Sequence, residues 1–133
     1  MFPELRSLSS LDIPEKVTII IVTMEALPPF TLIYAPITRT HLRAIAPKHY
    51  SLIRHTLTER LSYEPERPTR NRKPLKRPVM FEEAVATWEL RFGPDNRFRA
   101  FYDVQLAERQ VLILAIGVKI GNQLYIGREE VQL

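Results

Sequence analysis

The sequence predicts an α+β domain with an antiparallel sheet and two helices on its N-terminal side. Three observations carry this. Two segments, "TWELRF" and "RFRAFYDV", alternate apolar and polar residues with the period of a strand and are joined by the turn-forming "GPDN". "VLILAIGV" is apolar on both faces, as a central strand must be. Ahead of them, Tyr50, Ile53, Leu57 and Leu61 recur at helical spacing. A chain of 133 residues suits one such domain with one modest core.

In chain order, residues 1–29 read as an appendage. "MFPELRSLSSLDIPEK" has no sustained period, and "ALPPF" stops regular hydrogen bonding after the β-branched run "VTIIIVTM". That run has about eight residues against the roughly 18 a membrane span needs, so a membrane protein is not expected. Residues 30–133 form the main domain. "FTLIYAP" is a strand. Thr38 is placed to cap a short helix over "RTHLRAIA", and Pro47 suits the first turn of a second helix. "EPERPTRNRKPLKRPV" reads as an irregular loop because of its prolines and charges. The hairpin strands and the central strand follow, and "LYIG" is a short strand or an edge segment. The order is β-α-α-β-β-β.

Several chemistries are excluded or unsupported. There is no cysteine, which removes disulfides and thiol chemistry and fits a cytoplasmic protein. His41, His49 and His55 lack the spacing of a helical metal pair and read as solvated or partly packed helix residues, so no metal is expected. No glycine-rich phosphate loop or nucleophile elbow occurs, so no nucleotide cofactor is expected.

What stands out is basic. Lys and Arg number 19 against 15 acids, and clustering matters more than that excess. Arg67, Arg70, Arg72, Lys73, Lys76 and Arg77 fall within eleven residues that contain no acid. Such a run neutralises backbone phosphates, docks an acidic protein segment, or is an ordinary solvated loop. On the hairpin, Phe98, Ala100, Tyr102 and Val104 share one face. Arg97, Arg99, Phe101 and Asp103 share the other, and Arg91 and Glu89 have the parity of that second face. A guanidinium held by a strand suits phosphate, because its planar fork keeps its charge and donates several hydrogen bonds. Lys119 follows the central strand. Tyr125 is near these cations, where a phenol can become a proton acceptor, although periodicity alone makes it a half-buried edge residue.

"WELRFGPDNRFRAFY" and "LAIGVKIGNQLYIG", preceded by two helices and "KPLK", resemble the RelE/ParE superfamily of type II toxin–antitoxin toxins. The resemblance covers about three quarters of the chain, from Phe30 to Leu133. It implies a small RelE-like fold and a cognate antitoxin as partner. It further implies either ribosome-dependent mRNA cleavage through the ribose 2′-hydroxyl or, in the ParE branch, action on DNA gyrase; relatives without detectable toxicity also exist. In the RNA-cutting branch Arg99, Lys119 and Tyr125 stand at catalytic positions and Arg91 at a basic position on the preceding strand. Arg97, Arg70, Arg72, Lys73, Lys76 and Arg77 then hold RNA. The chain departs from the pattern at Glu89, where a base is usual, and at Gly121, where a further arginine can occur.

Overall fold

The computed structural model describes residues 27–133. The run "VTIIIVTM" and the expected appendage up to residue 26 lie outside the described residues. Strand β1 (Thr31–Tyr34) is followed by helix α1 (Ile37–Arg43), a 3₁₀ turn (Pro47–His49) and helix α2 (Tyr50–Leu61). Strands β2 (Arg72–Phe81), β3 (Ala84–Phe92), β4 (Phe98–Gln105), β5 (Gln110–Ile120), β6 (Gln123–Ile126) and β7 (Glu129–Val131) complete the domain. They form one curled sheet in the order β2-β3-β4-β5-β6-β7, antiparallel throughout, with β1 added parallel to β5. No helix among the described residues is long and apolar enough to cross a membrane.

The helical stripe lands where its spacing puts it. Ile53, Leu57 and Leu61 are fully buried against Leu90, Phe92, Phe98, Ala100 and Tyr102 of the hairpin, and Tyr50 packs at the border of the same core. Trp88 and Tyr102, directly opposite each other across β3 and β4, stack with centroids 6.2 Å apart. Burial raises the Tyr102 phenol above its ordinary range, and its hydroxyl donates to the Pro65 carbonyl at 2.8 Å. A buried hydroxyl needs such a partner.

The other face is not simply solvated. Phe101 is fully buried there in a second cluster with Ala86, Leu114, Ala115 and Ile126. The curl brings β2 and β7 side chains, including Phe81, Leu75 and Val131, against that cluster. Phe81 and Phe101 lie 5.5 Å apart. Apolar residues on both faces of β4 and β5 therefore serve two cores rather than one.

Two expectations are corrected. The basic segment is a strand over Arg72–Phe81, not a loop. Its prolines are tolerated because β2 is the sheet edge, where a missing N–H breaks no second ladder. They do leave a mark: between the pairs Pro74–Trp88 and Val79–Ala86, the four residues Leu75 to Pro78 oppose Thr87 alone. Thr38 does not cap α1. It lies inside the first turn, behind Pro36, and its hydroxyl donates to the Ala35 carbonyl at 2.6 Å.

Strand β5 shares one edge between two partners. β1 pairs with Gln110–Ile113 and β6 with Gly117–Ile120, which leaves a gap between them. Helix α1 packs over the gap, and His41 Nδ1 accepts the Ile116 N–H at 3.3 Å. The imidazole must be neutral to accept this bond. Burial holds its pKa below the ordinary imidazole value, with Glu82 pulling weakly the other way. The folded state therefore binds its proton less tightly than the unfolded chain does, and stability from His41 is complete above the unfolded pKa of about 6.5. Thermal unfolding should show Tm falling as pH drops from about 7 towards 5, through the folded pKa. In His41→Asn, whose side-chain oxygen can take the place of Nδ1 without titrating, that part of the fall should disappear. Parallel pH profiles for the two proteins would rule His41 out as its source.

Candidate functional site

Cross-strand register determines which basic residues meet. Arg91 and Arg99 are directly opposite on β3 and β4, and Lys73 of β2 is directly opposite Glu89 of β3. Two guanidiniums placed face to face repel. Glu89, two residues before Arg91 and diagonal to Arg99, sits among all three cations. Its carboxylate lies 3.4 Å from Arg99 Nε, 3.8 Å from Arg91 Nε and 3.9 Å from Lys73 Nζ. Exposure separates their roles. The side chains of Glu89 and Arg99 are 10% and 7% exposed, whereas Arg91 and Lys73 are 42% and 57% exposed. The first pair forms a floor and the second pair reaches solvent.

Arg99 is anchored further by backbone. Its Nη1 donates to the Asn96 carbonyl and, at 3.3 Å, to that of Phe98. The Asn96 carbonyl is presented by the 3₁₀ turn Pro94–Asn96, which is entered through Gly93 at φ +83°. A β-carbon on Gly93 would stand 2.5 Å from the Phe98 ring, so both the conformation and the space require glycine. Burial is the main cause that lowers the Arg99 pKa from its very high ordinary value. Arg91 adds to the lowering and Glu89 opposes it. The guanidinium stays charged near neutrality all the same.

A groove of about 1080 Å³ runs over this floor, between β2 on one side and the β6–β7 end of the chain on the other. Lys73, Lys76, Arg77, Arg91, Arg99 and Lys119 line it, against Glu89 and Glu130. A second cavity of about 730 Å³ shares Arg91, Arg99 and Lys119 and extends past Arg97 to His49. Lys119 reaches both because its backbone N–H donates to the Arg97 carbonyl at 2.7 Å, which ties the end of β5 to the hairpin turn. Such a concentration of fixed cations suits a chain of phosphates.

This geometry is similar to that of a chain of the toxin–antitoxin complex RelBE2 from Mycobacterium tuberculosis. The match has a TM-score of 0.55 and 25% sequence identity, and it covers 70% of this chain and 94% of that one. The fold is RelE-like. The similarity supports a general affinity with the RelE/ParE superfamily. No protein-family model and no curated protein sequence matches the chain.

In this RelE-like fold the sequence-predicted residues divide into three groups. Arg91, Arg99 and Lys119 come together, with Lys73, Lys76 and Arg77 along the same groove and Arg97 on the adjoining cavity. Tyr125 does not join them. It pairs with Val118, whereas Lys119 pairs with Leu124 and Arg99 with Gly117, so strand parity puts Tyr125 on the opposite face. Its hydroxyl donates to Gln123 Oε1 at 2.8 Å, and the ring borders a small cavity with His41 instead. Arg70 is exposed in the turn before β2 and lines neither groove. Arg72 is buried and structural. Nη2 donates to the Arg60 carbonyl at 2.9 Å, and Nη1 donates to those of Glu64 and Arg67. It closes the C-terminal end of α2, where a cation also complements the helix dipole.

The two departures from the family pattern acquire physical reasons. Glu89 offsets the repulsion between Arg91 and Arg99. Gly121 opens the two-residue turn between the paired Ile120 and Gln123 at φ +64°, a conformation that an arginine adopts only with strain. His49 is one of the lining residues that sequence reasoning did not assign to the site, because only the tertiary fold brings the start of α2 to the end of the hairpin.

Glu89→Gln should have two opposite effects. Chemical denaturation should show a loss of about 3 kcal/mol, the low end of what an unpaired buried charge costs. Filter binding to single-stranded RNA should tighten and become more salt-dependent, because one negative charge leaves the groove. Arg72→Met should cost about 2 kcal/mol, the scale of hydrogen bonds to a charged group, and leave RNA affinity within about twofold.

Proposed function

We propose that this protein is the toxin of a toxin–antitoxin pair and that it cuts messenger RNA on the ribosome through the ribose 2′-hydroxyl. One observation carries the reading: Arg91, Arg99 and Lys119 line one cationic groove within a RelE-like fold. The similarity to a chain of a toxin–antitoxin complex supports an antitoxin as partner.

In the proposed reaction RNA lies over the curled sheet. Lys73, Lys76 and Arg77 hold flanking phosphates from the edge strand. Arg91 orients the backbone at the solvent side of the floor. Arg99, held rigidly by Glu89 and the Asn96 carbonyl, binds the scissile phosphate together with Lys119. As the 2′-hydroxyl attacks, negative charge grows on the phosphoryl oxygens, and cations already in position stabilise it without reorganising. The nucleophile belongs to the substrate, so DNA, which lacks it, is not cut.

Addition of the purified chain to a translating extract, followed by mapping of transcript ends, tests the reading. Wild-type protein should produce discrete cuts. Arg99→Ala should cut at least about 100-fold more slowly, the usual loss when one charge-stabilising donor is removed. Intact transcripts at saturating occupancy of ribosomes would refute RNA cleavage. If the same protein then blocked supercoiling by gyrase, the assignment would move to the gyrase-directed branch.

A further inference from the structure

Helix α1, where it covers the gap along β5, also encloses a cavity, and we propose that this cavity binds a small carboxylate with a short apolar stem. The inference concerns the helix-covered face and does not depend on the RNA-cleavage reading. The cavity has a volume of about 150 Å³. Its sheet wall is set by strand parity. Ile116, Val118 and Ile120 share one face of β5, and Tyr125, directly opposite Val118, stands on that same face. His41 and Ile45 close it from the helix side.

Two polar groups interrupt this apolar lining. His41 is 8% exposed, and its Nδ1 accepts the Ile116 N–H, so the proton of the neutral ring is on Nε2. Among the described residues no protein acceptor takes that proton, and Nε2 is not sealed off from an incoming atom. Gly127 keeps this edge of the ring open: a β-carbon there would stand 3.3 Å from Cδ2, the ring carbon bonded to Nε2. The second group is Arg128, exposed in the β6–β7 turn. Its Nη2 donates to the Arg43 carbonyl at 3.4 Å, which draws the guanidinium towards the end of α1. Ile120, 62% exposed, is the other outer residue of the lining, so the cavity opens beside these two.

These donors select the ligand. No aspartate or glutamate lines the cavity, and Glu82, whose charge the ring feels, is outside it. An imidazole N–H and a guanidinium beside an apolar wall are satisfied by two acceptor oxygens on an apolar stem, which is what a carboxylic acid anion offers. Volume limits the size. An apolar cavity of roughly 150 Å³ holds benzene, so about six non-hydrogen atoms fit, as in isobutyrate. The stem lies on Ile45, Ile116 and Val118. One oxygen accepts from His41 Nε2–H and the other faces Arg128. A space of this size has no room for a peptide backbone, so the occupant is a free acid.

Titration of the full chain with isobutyrate at about pH 7.5, where the ring is neutral, tests this by heteronuclear NMR of the His41 ring and the Arg128 guanidinium. Both groups should shift along one saturable curve. Isobutyramide keeps the shape without the charge and should bind at least about 10-fold more weakly. Arg128→Gln should weaken isobutyrate binding by a similar factor. Ala44→Leu, which puts a larger side chain into the lining, should bind none, and Arg128→Gln, at an exposed position, keeps the test decisive if that variant does not fold. No saturable shift of His41 up to about 50 mM, the weakest binding that six well-seated atoms give, would leave the cavity to water and overturn the proposal. Equal binding of isobutyramide would refute the carboxylate assignment. A curve that survives both substitutions and disappears in Lys119→Ala would also overturn it, because the acid would then be held by the groove cations on the other face.

Discussion

The Glu89 carboxylate, buried among Arg99, Arg91 and Lys73, is the contact on which the groove depends. Strand register forces Arg91 and Arg99 into direct opposition. Without a counter-charge, two guanidiniums there would repel and turn towards solvent. With one carboxylate between three cations, the deeper guanidinium stays fixed at the floor while the other two cations reach outward. The site keeps a positive excess and still folds. A glutamate that looks like a defect in a basic site is therefore what allows the site to be concentrated.

The two cores explain how a sheet can present charge on a face that is otherwise packed. The helices cover one face through Ile53, Leu57 and Leu61. The curl covers the other, bringing Phe81 of β2 and Val131 of β7 towards Phe101. Only the end of that second face near Arg99 and Lys119 is left as a groove, and its walls are the same outer strands that supply the apolar cover. Stability and the proposed binding surface are thus coupled through β2, whose Arg72 ties down the end of α2 while Lys73, Lys76 and Arg77 face the groove.

The edge strand also shows why local reading failed where it did. Prolines and charges in "RNRKPLKRPV" are sound evidence against an interior strand. They say nothing against an edge strand with an irregular register, because the partner that completes it, β3, lies further along the chain. Thr38 is a similar case: its residue type suits a cap, but the turn after Pro36 begins the helix two residues earlier and redirects the hydroxyl to Ala35.

The sequence by itself determined the element order from β1 to β5 apart from β2, the helical stripe, the inward face of the hairpin and the parity that groups Arg91 with Arg99. All of these follow from periodicities of two or of 3.6 residues, which are local properties of the chain. Pairing was decided only by the tertiary structure. Register put Glu89 among three cations and separated Tyr125 from Lys119. The curl turned a basic segment into a groove wall, and the packing of α2 brought His49 to Phe98. Each of these requires residues far apart in sequence to share space, and no local period encodes which strand lies beside which.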